Sequence, residues 1–303
     1  MSSVIAIPFA RVSEWKTIRK NYSAWMAEKK QRAPRSDTKL LQACLDGNLA
    51  MVRERIAAGA NVNAGRKDKR PPLETAARCG NLEIVRELIS AGADVNQIHK
   101  VNIEASPTSA LIGAIKQYQV QVAQELVRAG ASTALETHPG CNAASEAAFK
   151  AIEYWWLNND TKTSFKELAS LTTTIKQLAN LTIDDRPSQT FEDWFGFLKQ
   201  SVGSGAKVND YCLWEACKMG CAPIANYLIS IGADVNFTPH HTSPLQKAIQ
   251  NEFDEIALAL IAAQADPNLT GKLAQSPLKL AVTKEKHNII RALLDAGATP
   301  EKN

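Results

Sequence analysis

The stretch PPLETAARCGNLEIVRELISAGADVN, residues 71–96, decides how the rest of the chain reads. Pro72 suits the first turn of a helix, where its missing N–H removes no hydrogen bond, and Ala76-Ala77 are small enough to let that helix press on a neighbour. Gly80-Asn81 interrupts the run. Leu82, Ile84, Val85, Leu88 and Ile89 then recur at three- and four-residue spacing, which predicts a second amphipathic helix. It closes at Gly92, where glycine can take the left-handed conformation. One such pair cannot bury its own apolar face, so it needs a stacked neighbour.

The neighbours are written in the same chain. GANVN at Gly59 returns as GADVN at Gly92, GAST at Gly130, GAKVN at Gly205, GADVN at Gly232, QADPN at Gln264 and GATP at Gly297. The opening returns as Pro244-Leu245-Gln246-Lys247-Ala248 and Pro277-Leu278-Lys279-Leu280-Ala281. A period of about 33 residues with these strings resembles the ankyrin-repeat family. Six copies are readable, at 37–69, 70–102, 107–133, 210–236, 242–268 and 275–300. The resemblance implies an all-α solenoid of stacked helix–turn–helix pairs with short β-hairpin fingers, and residue spacing adds an N-terminal amphipathic helix over about 12 to 31. The family's T-P-L-H opening is never complete, since its histidine position reads Glu74, Ile112, Trp214, Gln246 and Lys279. Helix starts should therefore be less uniformly pinned than in a consensus array.

Four regions follow from this reading: a basic arm (1–35), a first block of repeats (36–133), a divergent helical segment (134–209) and a second block (210–303). The divergent segment is either degenerate repeats or an insertion. Helices are expected over roughly 142 to 157, from the capping box Ser164/Glu167 through Leu181, and from Thr190/Asp193 through Leu198. The aromatics of this segment, Trp155 and Trp156 among them, either fill a widened gap between pairs or form a partner site. Adjacent tryptophans cannot share one helical face, so one of the two is expected to stay partly exposed.

Composition narrows the function classes. With 303 residues, a formal charge of +4, 45% hydrophobic and 22% charged residues, the chain is globular and no polycation. The charge is local: residues 1–35 carry Arg11, Lys16, Arg19, Lys20, Lys29, Lys30, Arg32 and Arg35 against Glu14 and Glu28, so the remainder is slightly acidic. In that arm Val12, Trp15, Ile18, Tyr22, Trp25 and Met26 form one apolar stripe, which suits a cap on the first repeat and also a basic amphipathic helix at a membrane, a nucleic acid or a partner protein. No apolar run reaches the roughly 18 residues of a membrane span, and MSSVIAIPFA lacks the basic start of a secretory signal. Six scattered cysteines read as reduced thiols. The expected location is the cytoplasm, or the cytoplasm of another cell if the protein is delivered there.

Candidate contact residues follow from loops and aromatics. Arg66, Lys67, Lys69 and Arg70 concentrate positive charge on the first connector, suited to solvent or to an acidic patch. The long connector 97–110, with His99 and Lys100, should protrude. The connector at 210–212 is too short for a finger, so a gap is expected beside Trp214. Trp214 is read as either a contact anchor or a buried filler, with Phe237, His240 and His241 on the next connector grouped around it. Cys212, Cys217 and Cys221 do not have the CxxC spacing of zinc sites. No G-x-S-x-G, P-loop or H-E-x-x-H string is present, and no nucleic-acid module such as an RNP signature. The expected function is a non-enzymatic protein-interaction module (adaptor, inhibitor or effector) with no cofactor, metal or small-molecule substrate. Two alternatives stand beside it: a membrane- or nucleic-acid-associated protein using the basic arm, and an enzyme whose site lies in the divergent segment near Asp184, Asp185 and Arg186.

Overall fold

The structure, a computed structural model, describes residues 37–65, 70–100, 107–159, 190–270 and 275–300. The expectations for the N-terminal helix, for the helix after Ser164 and for Asp184 to Arg186 lie outside the described residues, as do Arg66, Lys67 and Lys69. Helices come in consecutive pairs: α1 (37–45) with α2 (Leu49–Ala57), α3 (Pro72–Cys79) with α4 (Leu82–Ser90), and α5 (Ala110–Lys116) with α6 (Val120–Arg128). Then follow α7 (Ala143–Asn159) with α8 (Phe191–Gly203), α9 (Tyr211–Met219) with α10 (Ala222–Ser230), α11 (Pro244–Gln250) with α12 (Asp254–Ala262), and α13 (Pro277–Thr283) with α14 (His287–Asp295). From α3 onward, the first helix of each pair packs on the first helix of the next. This is the all-α stacked-pair architecture that the repeats imply.

The small residues read from the sequence sit where helices press closest. Ala76, Ala77, Ala147, Ala148, Ala216, Cys217 and Ala248 are fully buried between first helices. Second helices contribute the aliphatic stripe, with Val85, Leu88, Ala123, Leu126, Ala225, Leu228 and Leu260 fully buried. The GADVN string has its own mechanism. Asp94 Oδ1 accepts from the backbone N–H of Asn96 at 2.9 Å, closing the turn after Gly92. Asn96 then reaches forward: its Nδ2 donates to the carbonyl of Gly130 and its Oδ1 accepts from the N–H of Ser132. Asn63 does the same to Gly92 and Asp94, and Asn268 to Gly297 and Thr299. At these three places the string caps its own turn and fastens the next pair.

Helix starts are unevenly pinned. Ser243 with Gln246 and Thr190 with Asp193 make full capping boxes, while Pro71 and Asp210 provide no side-chain cap. The fingers depart from the β-hairpin expectation. Among the described residues there are two isolated antiparallel bridges, His99 with Thr108 across the long connector, with paired 2.8 Å hydrogen bonds, and His138 with Cys141 in the next. The connector after Asn236 cannot follow suit: Pro239 lacks an N–H, and His240 and His241 both hold left-handed backbone at φ 54° and 62°.

Among the described residues the divergent segment contributes α7 and α8 to the stack. Helix α7 runs for 17 residues and packs on α5 before it and α9 after it. Its partner α8 lies alongside, with Trp155 against Phe191 at a ring separation of 5.3 Å. Residues 160–189, between the two helices, lie outside the described residues.

Candidate functional site

Two clusters gather on the face made by the first helices and their connectors. The first is aromatic. Short α9 starts directly after Asp210, because the connector there has no room for a finger, and this brings Tyr211 and Trp214 up beside the Pro239–His241 turn. The Tyr211 and Trp214 rings stack at 5.5 Å, and His240 sits 5.6 Å from Trp214 and 6.0 Å from Tyr211. Phe149 of α7 extends the row at 6.0 Å from Tyr211, and the Lys218 ammonium lies 5.6 Å from the Trp214 ring. Burial, helped by the charge of Glu215, raises the pKa of the Tyr211 hydroxyl, which keeps it a neutral hydrogen-bonding group.

Trp214 is not the open anchor that one reading of the sequence allowed. It is only 6% exposed, and its indole N–H donates to the carbonyl and hydroxyl of Thr242. The ring is the bolt beneath the turn, and what faces outward is exposed His240 and His241 with half-buried Tyr211 and Phe237. A buried Trp whose N–H finds a partner is the normal state of a packed indole. Left-handed backbone at two successive non-glycine residues costs roughly 1–2 kcal/mol each and persists only where surrounding contacts enforce it. Trp155 is likewise structural: its N–H donates to the Gly220 carbonyl at 3.2 Å, joining α7 to the end of α9. Trp156 is half-buried beside it.

The second cluster is charged. Glu74, at the family's histidine position, is 2% exposed, and Arg70 brings its Nε within 3.1 Å of the Glu74 Oε1. That contact is a charge pairing without hydrogen-bond alignment, and neither buried carboxylate oxygen has a hydrogen-bond partner. Burial pushes the Glu74 carboxyl above its ordinary pKa, opposed by the charges of Arg70, Arg78 and His99. His99 reaches this cluster from the long connector, where its backbone is paired with Thr108, and Lys100 next to it is exposed. Sequence reading missed Arg78, Tyr211 and Phe149. For Arg78 the signal was positional, since Arg78, Lys116 and Lys218 each follow a buried pair at the same place in three first helices.

The remaining candidates belong to packing. Cys212, Cys217 and Cys221 are buried, the Cys212 Sγ donates to the Ser145 carbonyl at 3.7 Å, and burial raises the Cys221 thiol to about 12. Among the described residues no group of three His, Cys, Asp or Glu side chains is placed to hold a metal ion. Nor is any described helix long and apolar enough to cross a membrane.

Comparison with known proteins agrees with this architecture. The family model for ankyrin repeats matches three times, at residues 18–99, 194–271 and 213–303. A putative ankyrin repeat-containing protein of Treponema pallidum (strain Nichols) is 38% identical over 87 residues, which is 28% of this chain and 29% of the relative. The chain thus spans under a third of that relative. The crystal structure of the human ASB11 ankyrin repeat domain superposes with a TM-score of 0.51 at 22% identity, covering 86% of this chain and 99% of that one. At that identity the likeness concerns fold alone.

Proposed function

This chain belongs to the ankyrin-repeat family, and from that premise we propose that it is a non-enzymatic protein-recognition module whose partner docks on the concave face of first helices and connectors. Ankyrin repeats generally serve as protein-interaction modules, and family membership says nothing finer. The observation that carries the reading is the His240-His241 turn, held in left-handed backbone over the buried Trp214. Preformed aromatic surface presents contact area whose ordering entropy was lost on folding, so binding does not have to supply it. Tyr211, Phe237, His240 and His241 are the contact residues of this reading, with Phe149 at its edge and Arg70, His99 and Lys100 on the preceding pairs. An adaptor, an inhibitor and an effector would all use such a surface. Six free thiols, of which only Cys79 is exposed, favour a reducing compartment such as the cytoplasm.

Affinity capture from the native source tests the assignment. The double variant Tyr211→Ala/His240→Ala should lose the partner that wild type retains, while Arg53→Ala on the second-helix face should keep it. Retention of every partner by the double variant, with its thermal unfolding unchanged, would refute the placement.

A further inference from the structure

The stacked pairs share one register, and the last described pair departs from it on its outer face. In each earlier first helix the residue after the buried alanine is covered by the pair that follows: Cys44, Ala77, Ile115, Ala148, Cys217 and Ile249 are fully buried. Val282 stands at that place in α13 and is 55% exposed. The fourth residue of the second helices behaves alike. Val52, Val85, Ala123, Trp194, Ala225 and Ala257 are fully buried, whereas Ile290 of α14 is half-buried and Leu294, one turn on, is 50% exposed. Val282, Ile290 and Leu294 thus make a stacking face over which no described pair is laid. Outer faces of terminal repeats are ordinarily polar, and an apolar one marks an interface.

The charges of this face are also open. Arg53 and Arg86 each reach a glutamate of the following second helix, Glu87 at 2.9 Å and Glu125 at 3.1 Å. Arg291 holds their place in α14, is exposed, and pairs with no carboxylate among the described residues. Asp295, one turn further, is likewise exposed and without an ion pair among them. The string after α14 reads Gly297-Ala298-Thr299-Pro300-Glu301, with neither the Asp that closes the turn at Asp94 nor the Asn that clasps the next pair at Asn63, Asn96 and Asn268. What covers the face is therefore not fastened in the manner of the inner pairs.

We propose that the outer face of α13 and α14 binds the same face of a second copy of this chain, in a two-fold symmetric dimer. The charges select this occupant. A face of one sign would repel its own copy, whereas this one carries Arg291 and Asp295 one turn apart on one helix. An antiparallel crossing of α14 on its mate brings Arg291 of each copy toward Asp295 of the other, while Val282, Ile290 and Leu294 meet apolar equivalents. Such a contact is self-complementary and closes at two copies. The proposal goes beyond the recognition reading and is independent of it, since Tyr211 and His240 take no part.

The test is sedimentation of the full-length protein from about 1 to about 200 µM, a range in which contacts of modest area associate. Wild type should pass from monomer to dimer and stop there. Val282→Glu/Leu294→Glu places carboxylates where side chains are already exposed, so its thermal unfolding should match wild type while it stays monomeric throughout. Arg291→Asp sets a second carboxylate against Asp295 of the mate, and Asp295→Arg sets a second guanidinium against Arg291. Each variant alone should dimerise about tenfold more weakly. Mixed in equal amounts, the two restore opposite charges across the contact and should form a heterodimer of wild-type strength. A wild type that remains monomeric overturns the proposal. So do species that grow beyond the dimer, the mark of a head-to-tail contact, and a dimer retained by folded Val282→Glu/Leu294→Glu. Single charge variants that dimerise like wild type, or a mixture no stronger than its components, overturn the two-fold arrangement and the proposal with it.

Discussion

The regular pairs and the α7–α8 pair solve the same stacking problem by different means. Between regular pairs, a forward-reaching asparagine makes two hydrogen bonds to the next turn, at Asn63, Asn96 and Asn268. Before α7 that residue is Ala134, and the link is replaced by the buried Thr133 hydroxyl donating to the Ser201 carbonyl at 3.4 Å and by Asn142 reaching the Lys207 carbonyl. After α8 the asparagine is present, but Asn209 turns back to Gly140 and to its own Tyr211 N–H. Asp210 takes over the forward bond, to Asp234. Aromatic rings take over the cohesion: Trp194, Phe197 and Phe195 are buried, and Phe195 meets Tyr227 of the following pair at 5.5 Å. A repeated polar link serves where the period holds; where it fails, unrepeated hydrogen bonds and bulk apolar contact serve together.

The largest test of that contrast is Trp194→Ala. Its ring is fully buried, so the cavity should cost about 3–5 kcal/mol. Because the loss falls at the joint, urea unfolding should split into two transitions, one for each block. A single, merely shifted transition would show that the blocks do not depend on the joint. Asn96→Ala comes next: it removes two exposed hydrogen bonds within the regular block and should cost about 1–2 kcal/mol while unfolding stays cooperative. Gln264→Gly works in the opposite direction. Gln264 holds φ 63° where the other complete strings have glycine, so the substitution should stabilise by up to about 1 kcal/mol, read as a raised Tm.

The smallest effect is a pH slope. The Glu74 carboxyl has its folded pKa raised above the ordinary 4.5, so the folded state holds that proton more tightly than the unfolded chain. Its contribution to stability is complete below 4.5 and is lost as pH climbs through the raised value. Glu74→Gln should flatten the pH dependence of Tm in that mildly acid window. An unchanged slope would assign the titration elsewhere.

The contrast also separates what sequence could reveal. Gly92, Ala76-Ala77 and the Asn of each string are legible because one residue type at one place does one job, and repetition multiplies the signal. Thr190 with Asp193 is legible for the same local reason, and its capping box forms as read. The burial of Trp214 is not legible, because it depends on Thr242 arriving from another connector. Nor is the pairing of α7 with α8 across residues 160–189, since the distance from Gly130 to Gly205 fits two further repeats as well as one interrupted repeat. The Arg78 and Glu74 cluster lies between these cases, since its residues are ordinary until the long connector brings His99 beside them.

The forward bonds from Asn63 and Asn96 and those from Asp210, Asn236 and Asn268 form two runs separated at Ala134. In mechanical terms the molecule is a spring made of two lengths joined by a greased collar. Pulled from its ends, each run resists through like bonds loaded one after another, whereas the collar between them resists through ring packing and a few unrepeated hydrogen bonds. Extension should therefore start at the aromatic joint, and it would reach the partner-facing turn at His240 only after the first block had been set free.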